Sequence, residues 1–577
     1  MCGIFAILNA ELQSSRNIRD VQFLEKQFQL GKGRGPEHSV FQKAELHCFL
    51  GFHRLAINGL NEEANQPLIH NDITLICNGE IYNFVELYQT MEIEPKTGSD
   101  CEIILHLYER YGIEQTLQML DGVFAFILID SRITDENSSS SKMYVARDPY
   151  GVRPLYTLTG TDNKEDESPL FAFASEAKML SGILQEFRET NNNTVQIQHF
   201  EPGTFAEYEL PQRAIASWAY LRTRTYHSTG FNSNMLLTPR SLDEFPAVLQ
   251  NIQCYLMAAV FKRCCATERP IACLLSGGLD SSLVTALVSE YHNVYNLPPV
   301  ETYSIGLAGS EDLKYAKMVA EHLGTNHTEI ILTEADFIAA VPEVIRSIES
   351  YDTTTVRASI GNWLLGKYIS ENSQAKVIFN GDGSDELVGG YLYMHQAPDA
   401  IEFDKECRRL LKDIHQFDVL RSDKSISSHG LEPRTPFLDR SWVQYYLSVL
   451  LELRYHPVQE QMEKWLIREA FSFEHFKNSV GMPLLSPDIL WRRKEAFSDG
   501  VTGQSRSLYQ ILGDHAESMG SPNTTNYQHN RPETAEQEWY RAIFEEAYPG
   551  MANLVPYFWM PKYVEAKDAS ARTLSIY

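Results

Sequence analysis

The sequence is short of basic residues: 50 Lys and Arg stand against 76 Asp and Glu, for a formal charge of −26. That deficit argues against general nucleic-acid binding, which needs a basic face for the phosphates. It favours solubility and says little more. No apolar run reaches the length of a membrane span, and no charged leader precedes an apolar core, so neither a membrane partner nor secretion is expected. None of the nine cysteines pairs with another as C-x-x-C. The odd count without a leader predicts reduced thiols and a cytoplasmic location. No segment repeats at a fixed period. Apolar residues are not scarce: 43% of 577 residues is enough for the cores of two or more domains.

Two characters follow one another along the chain. Up to about residue 210, strand-like runs dominate, among them M-C-G-I-F-A-I-L, I-T-L-I-C-N-G-E-I-Y and G-V-F-A-F-I-L-I-D. Helices are expected at 18–30 and 101–111, and flexible hairpin tips at 131–142 and 160–169. This suits stacked antiparallel sheets with helices outside. Residues 211–245 mix Pro, Ser, Thr, Arg and Asn and read as a linker. From 246 to 577 strand-like runs at 271–275, 301–305, 329–332 and 376–379 alternate with helices, and a mainly helical part begins near 403. That alternation predicts a doubly wound parallel sheet with nucleotide at the carboxyl ends of its strands.

The stretch I-A-C-L-L-S-G-G-L-D-S-S, residues 271–282, reads as strand, small-residue loop and helix start. That geometry turns backbone N–H groups towards an anion. Gly277 and Gly278 allow close approach, Ser276, Ser281 and Ser282 add hydroxyls, and Asp280 offers a ligand for Mg²⁺. No Gly-Lys-Ser/Thr follows, so it is not a Walker A loop. A second Gly-rich turn, F-N-G-D-G-S-D-E, places Asp385 where it can share the metal with Asp280. T-T-T-V-R-A-S gathers Thr354, Thr355 and Arg357, and W-R-R-K supplies Lys494 as positive charge for phosphates. At the other end, loss of Met1 would leave Cys2 with a thiol nucleophile and its own base, an α-amine of pKa about 8.

Three resemblances give these residues a direction. S-G-G-L-D-S-S resembles the pyrophosphate loop of ATP pyrophosphatases, which adenylate a carboxylate or carbonyl. M-C-G-I-F-A-I, R-G-P-E, F-H-R-L-A-I, N-G-E-I-Y-N and R-D-P-Y-G-V-R-P-L-Y resemble the class II glutamine amidotransferases, amino-terminal-nucleophile enzymes with an αββα sandwich. Taken in order, with Y-D-T-T-T-V-R-A-S, P-F-L-D, K-E-A-F-S-D-G and W-M-P-K, the motifs resemble the glutamine-hydrolysing asparagine synthetases nearly end to end.

The resemblance implies a glutaminase domain over 2–210 and a synthetase domain over 246–577, with glutamine, aspartate and ATP as substrates and Mg²⁺ alongside ATP. Cys2 would be the nucleophile, and Asn78 and Gly79 would hold the oxyanion. Arg54 would bind the glutamine carboxylate, Leu55, Ala56, Ile57 and Asn58 would surround the substrate, and Glu80 and Asp100 would hold its ammonium. Leu274, Ile305, Asn380 and Gly381 would line ATP, and Ser276, Gly277, Gly278, Leu279, Asp280, Ser281 and Ser282 its pyrophosphate. Thr354, Thr355 and Arg357 would meet aspartate or its adenylate, and Lys494 would stabilise charge. A homodimer is implied as well.

Three departures from the family pattern stand out. Gly33 replaces a His before R-G-P, which predicts a local packing change. Asp382 replaces a Glu that acts on the adenylate, and it is one methylene shorter. Pro433 and Thr435 replace an apolar residue and Val, and Pro433 fixes φ where a helix begins. Two other readings keep the same fold: another carboxylate acceptor, or a nucleotide-binding protein without turnover. Cys2 argues against the first, and Asp382 is the feature that favours the second.

Overall fold

A computed structural model describes residues 2–13, 15–132, 140–160, 168–189, 195–211, 216–228, 245–459, 461–494, 500–502, 506–520 and 527–573. Most of each predicted hairpin tip (133–139 of 131–142, and 161–167 of 160–169) and much of the linker at 211–245 lie outside the described residues. So do residues 495–499 of K-E-A-F-S-D-G. The chain divides into two compact units, 1–228 with 427–431 and 548–554, and the remainder.

The first unit holds two six-stranded sheets. One has the order β10-β8-β9-β1-β3-β2, the other β12-β11-β7-β6-β5-β4. In the first sheet β1 is Gly3–Leu8, β2 His38–Glu45, β3 Cys48–Arg54, β8 Tyr156–Gly160, β9 Leu170–Ala174 and β10 Ile197–His199; in the second β4 is Leu68–His70, β5 Ile73–Ile81, β6 Gly122–Asp130, β7 Ser140–Arg147, β11 Thr204–Pro211 and β12 Ala219–Thr225. The period-2 alternation of side chains assigns each face. Ile4, Ala6, Leu50, Phe52, Ile76, Ala125 and Ile127 join one core between the sheets. Leu75, Cys77, Phe126 and Leu128 face the other way, into a core shared with Leu105 and Leu107 of the helix Ile103–Met119. Phe28, on the helix Val21–Gln29, lies against Gly51 on the far face of the first sheet. The layers are therefore helix, sheet, sheet, helix, as the sequence predicts. The same alternation brings Cys2, Arg54, Asn78 and Glu80 to the inner face, at the ends of β1, β3 and β5.

Two local differences have physical reasons. Ala219–Thr225, inside the predicted linker, is β12, paired with β11 (Thr204–Pro211) at a sheet edge. All seven of its residues are exposed, so it carries no apolar alternation. A Cβ on Gly33 would lie 3.2 Å from the carbonyl oxygen of Ser428, so a larger residue there needs that backbone to give way.

The second unit is built on a five-stranded sheet, β15-β14-β13-β16-β17, parallel throughout. Here β13 is Ile271–Leu274, β14 Glu301–Leu307, β15 Asn326–Leu332, β16 Val377–Phe379 and β17 Glu432–Arg434. The chain leaves β13 for β14 on one side and later places β16 on the other. That switch opens a crevice at the carboxyl ends of β13 and β16. Pro433 sits in the edge strand β17, where a missing N–H is tolerated.

Candidate active sites

In the first unit the Cys2 backbone N–H donates to Asn78 Oδ1 at 3.0 Å, and Cys2 Sγ donates to the Leu55 carbonyl at 3.7 Å. The same Asn78 leaves Nδ2 buried with no hydrogen-bond partner among the described residues. A buried amide donor without a partner costs about 1–3 kcal/mol. It persists here because Oδ1 is anchored and the strand fixes the side chain. Gly79 takes the next position, where a Cβ would meet Val123 O at 2.6 Å, so the backbone can run there only without a side chain.

The predicted substrate residues surround this pair. Arg54 donates to Asn61 O at 2.8 Å, to Asn65 Oδ1 at 2.7 Å and to Gly59 O, which fixes its guanidinium plane. Asn58 Nδ2 donates to Glu80 Oε2 at 2.8 Å. Asp100 Oδ2 accepts from Ile81 N at 2.7 Å and is 4% exposed. Ala56 N is held by Glu37 Oε2 at 2.6 Å, and Ile57 is buried. Arg34 donates to the Cys2 carbonyl at 3.0 Å. Arg34 and Glu37 come from R-G-P-E, a motif whose individual side chains sequence reasoning had given no role.

In the second unit one cavity opens at the carboxyl ends of β13, β14 and β16. Leu274, Ser276, Gly278, Leu279, Asp280 and Ser281 line one side. Ile305, Thr354, Asn380, Gly381, Asp382 and Asp385 line others, with Lys494 at the mouth of a basic run. Ser276 Oγ lies 2.9 Å from Ser281 Oγ, so the loop is braced across the helix start of Leu279–Val294. Gly277 does not line the cavity; its φ of +73° makes the turn, and a Cβ would meet Ala316 N at 2.5 Å. Ser282 is buried beneath the loop. Gly381 packs on the loop itself, since a Cβ there would lie 2.8 Å from Asp280 C and Ser281 N.

A residue that sequence reasoning missed ties this site together. Lys464 Nζ bonds Asp280 Oδ2 and lies 2.5 Å from Asp385 Oδ1, while Lys494 Nζ reaches the two Asp385 oxygens at 2.6 and 2.5 Å. Burial works to raise the Asp385 carboxyl, but the two ammonium groups overcome it and hold it well below the usual range. Lys464 is 3% exposed and has a φ of 60°, an uncommon backbone for a non-glycine. The only sequence signal was a Lys ahead of W-L-I-R, indistinguishable from a solvated charge. The two carboxylates converge on one cation, and hard oxygen donors in that arrangement fit a divalent ion such as Mg²⁺.

Asp382 receives Arg421 Nη2 at 3.2 Å, and Arg421 also bonds Asp418. Burial raises the Asp382 carboxyl, with the Arg421 charge opposing. The predicted aspartate group divides. Thr354 Oγ1 is buried in the cavity wall with no hydrogen-bond partner among the described residues. Thr355 Oγ1 instead donates to Asp352 Oδ2 at 2.7 Å, in the cap of the helix Thr353–Asn372. Arg357 is 4% exposed, bonded to Glu536 at 2.8 and 2.6 Å and to Asp568 at 2.7 and 2.9 Å. Neither Thr355 nor Arg357 lines the cavity.

Family models match both units. The glutamine amidotransferase domain matches residues 1–216, and asparagine synthase matches 253–402 and 397–564. The class is therefore a glutamine amidotransferase joined to a synthetase. Three relatives cover 100% of this chain and 99% of their own length: asparagine synthetase [glutamine-hydrolysing] from Gallus gallus, 40% identical over 592 residues, from Cricetulus griseus, 39% over 593, and from Homo sapiens, 38% over 593. The chain belongs to the glutamine-hydrolysing asparagine synthetase family.

Proposed function

We propose that this enzyme makes asparagine from aspartate at the expense of ATP, with glutamine as nitrogen donor. The observation that carries the reading is the partnerless Asn78 amide beside Cys2, in a chain similar from end to end to these synthetases.

With Met1 removed, the Cys2 thiolate attacks the glutamine amide carbon; the terminal amine takes up the thiol proton and passes it to the amide nitrogen, which leaves as ammonia while the thioester forms. Asn78 Nδ2 and the Gly79 N–H receive the negative oxygen, which is where an unpaired donor becomes an asset. Arg54 fixes the glutamine carboxylate, and Glu80 and Asp100 its ammonium. Water then releases glutamate from the thioester. In the second unit the loop Ser276 to Ser281 holds the pyrophosphate end of ATP, with Leu274, Ile305, Asn380 and Gly381 along the nucleotide. The aspartate β-carboxylate attacks the α-phosphate, and ammonia then displaces AMP from the aspartyl adenylate. Asp280 and Asp385 would hold Mg²⁺, which would offset charge on the phosphates. Lys464 and Lys494 contribute positive charge at that place, and Asp382, oriented by Arg421, accepts a proton from the incoming ammonia. We extend the reading to domains at 2–210 and 246–577, a homodimer and a cytoplasmic location. Among the described residues no helix is long and apolar enough to cross a membrane.

The test is a product assay. Purified protein with glutamine, aspartate, ATP and Mg²⁺ should yield asparagine, glutamate, AMP and pyrophosphate. Cys2→Ala should abolish the glutamine-dependent reaction and keep synthesis from added ammonia. Release of ADP and phosphate would overturn the assignment of the loop, and equal loss of both reactions in Cys2→Ala would overturn the two-site scheme.

A further inference from the structure

The first unit contains a second group of chemically competent side chains that the proposed reaction does not use. His70 ends β4, at the hairpin that leads into β5, while His106 and Glu109 lie three residues apart on the helix Ile103–Met119. Each offers one ligand atom, and the three atoms lie within 4.8 Å of one another. The imidazole rings of His70 and His106 are 4.6 Å apart, and His70 Nε2 is 3.0 Å from Glu109 Oε2. We propose that His70, His106 and Glu109 form a binding site for a divalent transition metal, with zinc as the best fit.

The donor chemistry selects the ion. Two imidazole nitrogens and one carboxylate suit zinc and its neighbours, whereas Mg²⁺ and Ca²⁺ take oxygen ligands. The surroundings have the features of an outer shell. Glu102 Oε1 stands 3.3 Å from His106 Nε2, and Glu102 is itself fixed by the backbone N–H groups of Lys96 and Thr97, at 3.0 and 2.7 Å. Asn71 Nδ2 donates to Glu109 Oε1 at 2.8 Å and so turns the other carboxylate oxygen towards His70. Arg132 lies 3.8 Å from Glu109, but it is paired more closely with Asp130, at 2.8 Å.

Tetrahedral zinc bonds of about 2.0–2.1 Å set ligand atoms about 3.3–3.4 Å apart, so separations near the 4.8 Å limit must shorten while the 3.0 Å pair of His70 and Glu109 opens slightly. His106 is the fixed member, 5% exposed, while His70 and Glu109 are 16% and 31% exposed and can rotate. Their exposed side admits water as a fourth ligand. A metal there would clamp the β4–β5 hairpin to the helix. β5 carries Asn78 and Gly79, and the helix follows Asp100, so the clamp ties together the two elements that shape the amino-terminal site.

The probe is Co²⁺, followed by Zn²⁺, added to chelator-stripped full-length protein carrying Cys254→Ser and Cys265→Ser to remove the two exposed thiols. One Co²⁺ per chain should give the intense visible bands of a tetrahedral nitrogen and oxygen site without thiolate charge transfer, and Zn²⁺ should displace it. An oxygen-only site at Asp280 and Asp385 would give weak octahedral bands. Glu109→Gln and His70→Ala should each weaken binding by at least about tenfold and abolish the zinc-dependent rise in Tm. His70→Cys keeps three ligands, so it should bind cobalt and acquire the charge-transfer band. If the parent shows no tetrahedral spectrum, or if His70→Cys binds without that band, the cluster is a metal-free staple and the proposal fails.

Discussion

Asn78→Asp exchanges one amide nitrogen for an oxygen at the centre of the glutamine site. The aspartate keeps the acceptor that holds Cys2 N at 3.0 Å, and it keeps the shape of a fully buried side chain. What it loses is Nδ2, the donor with no partner among the described residues. An oxyanion donor of this kind contributes roughly 3–4 kcal/mol, a factor of about 10²–10³ in kcat. The variant also sets a carboxylate where negative charge develops, so the loss should sit at the upper end of that range. KM should move little, because the proposed contacts to the unreactive part of glutamine are those of Arg54 and Asp100, which the substitution leaves in place. Steady-state glutamine hydrolysis gives kcat and KM separately, and ammonia-supported synthesis in the same preparation is the internal control. A kcat within about fivefold of the parent would refute the oxyanion assignment. A raised KM with kcat intact would make Asn78 a ground-state contact instead.

Gly381→Ala should abolish ATP-dependent pyrophosphate release and leave glutamine hydrolysis in place, because its Cβ would meet the Asp280 and Ser281 backbone at 2.8 Å; normal release would show that the loop yields. Asp382→Glu should match or exceed the parent in the amide-forming step, measured with ammonia as donor, while a loss above about tenfold would mean that Arg421 and the backbone are fitted to the shorter side chain. Asp352→Asn tests a pH dependence. Burial raises the Asp352 carboxyl from 3.8 to about 6, against its hydrogen bonds from Thr355 and Trp559. The folded chain thus binds that proton more tightly than the unfolded chain. The stability it contributes is complete below pH about 4 and is lost as the pH rises through about 6, on the order of 3 kcal/mol. Denaturant unfolding over that window should show the stability of the parent falling relative to that of Asp352→Asn as the pH rises, and parallel curves would refute it.

Much of this protein is legible without coordinates because its chemistry sits in short contiguous motifs. The run from Ile271 to Ser282 is strand, turn and helix start in one stretch, so its backbone geometry is legible from local sequence alone. The alternation in β5 puts Asn78 and Glu80 on one face. Other features are invisible because they arise from pairings across long separations. Lys464 meets Asp280 and Asp385 184 and 79 residues away along the chain, and nothing local distinguishes it from a surface lysine. Arg357 was legible as a cation near hydroxyls, but only folding brings up Glu536 and Asp568 to engage it. The edge strand β12 went unseen because exposed residues leave no apolar period. Local sequence therefore determined which chemistries the chain can offer, through backbone propensity and motif spacing. Tertiary structure decided which charges face one another, because Coulomb interactions and burial act through space and not along the chain.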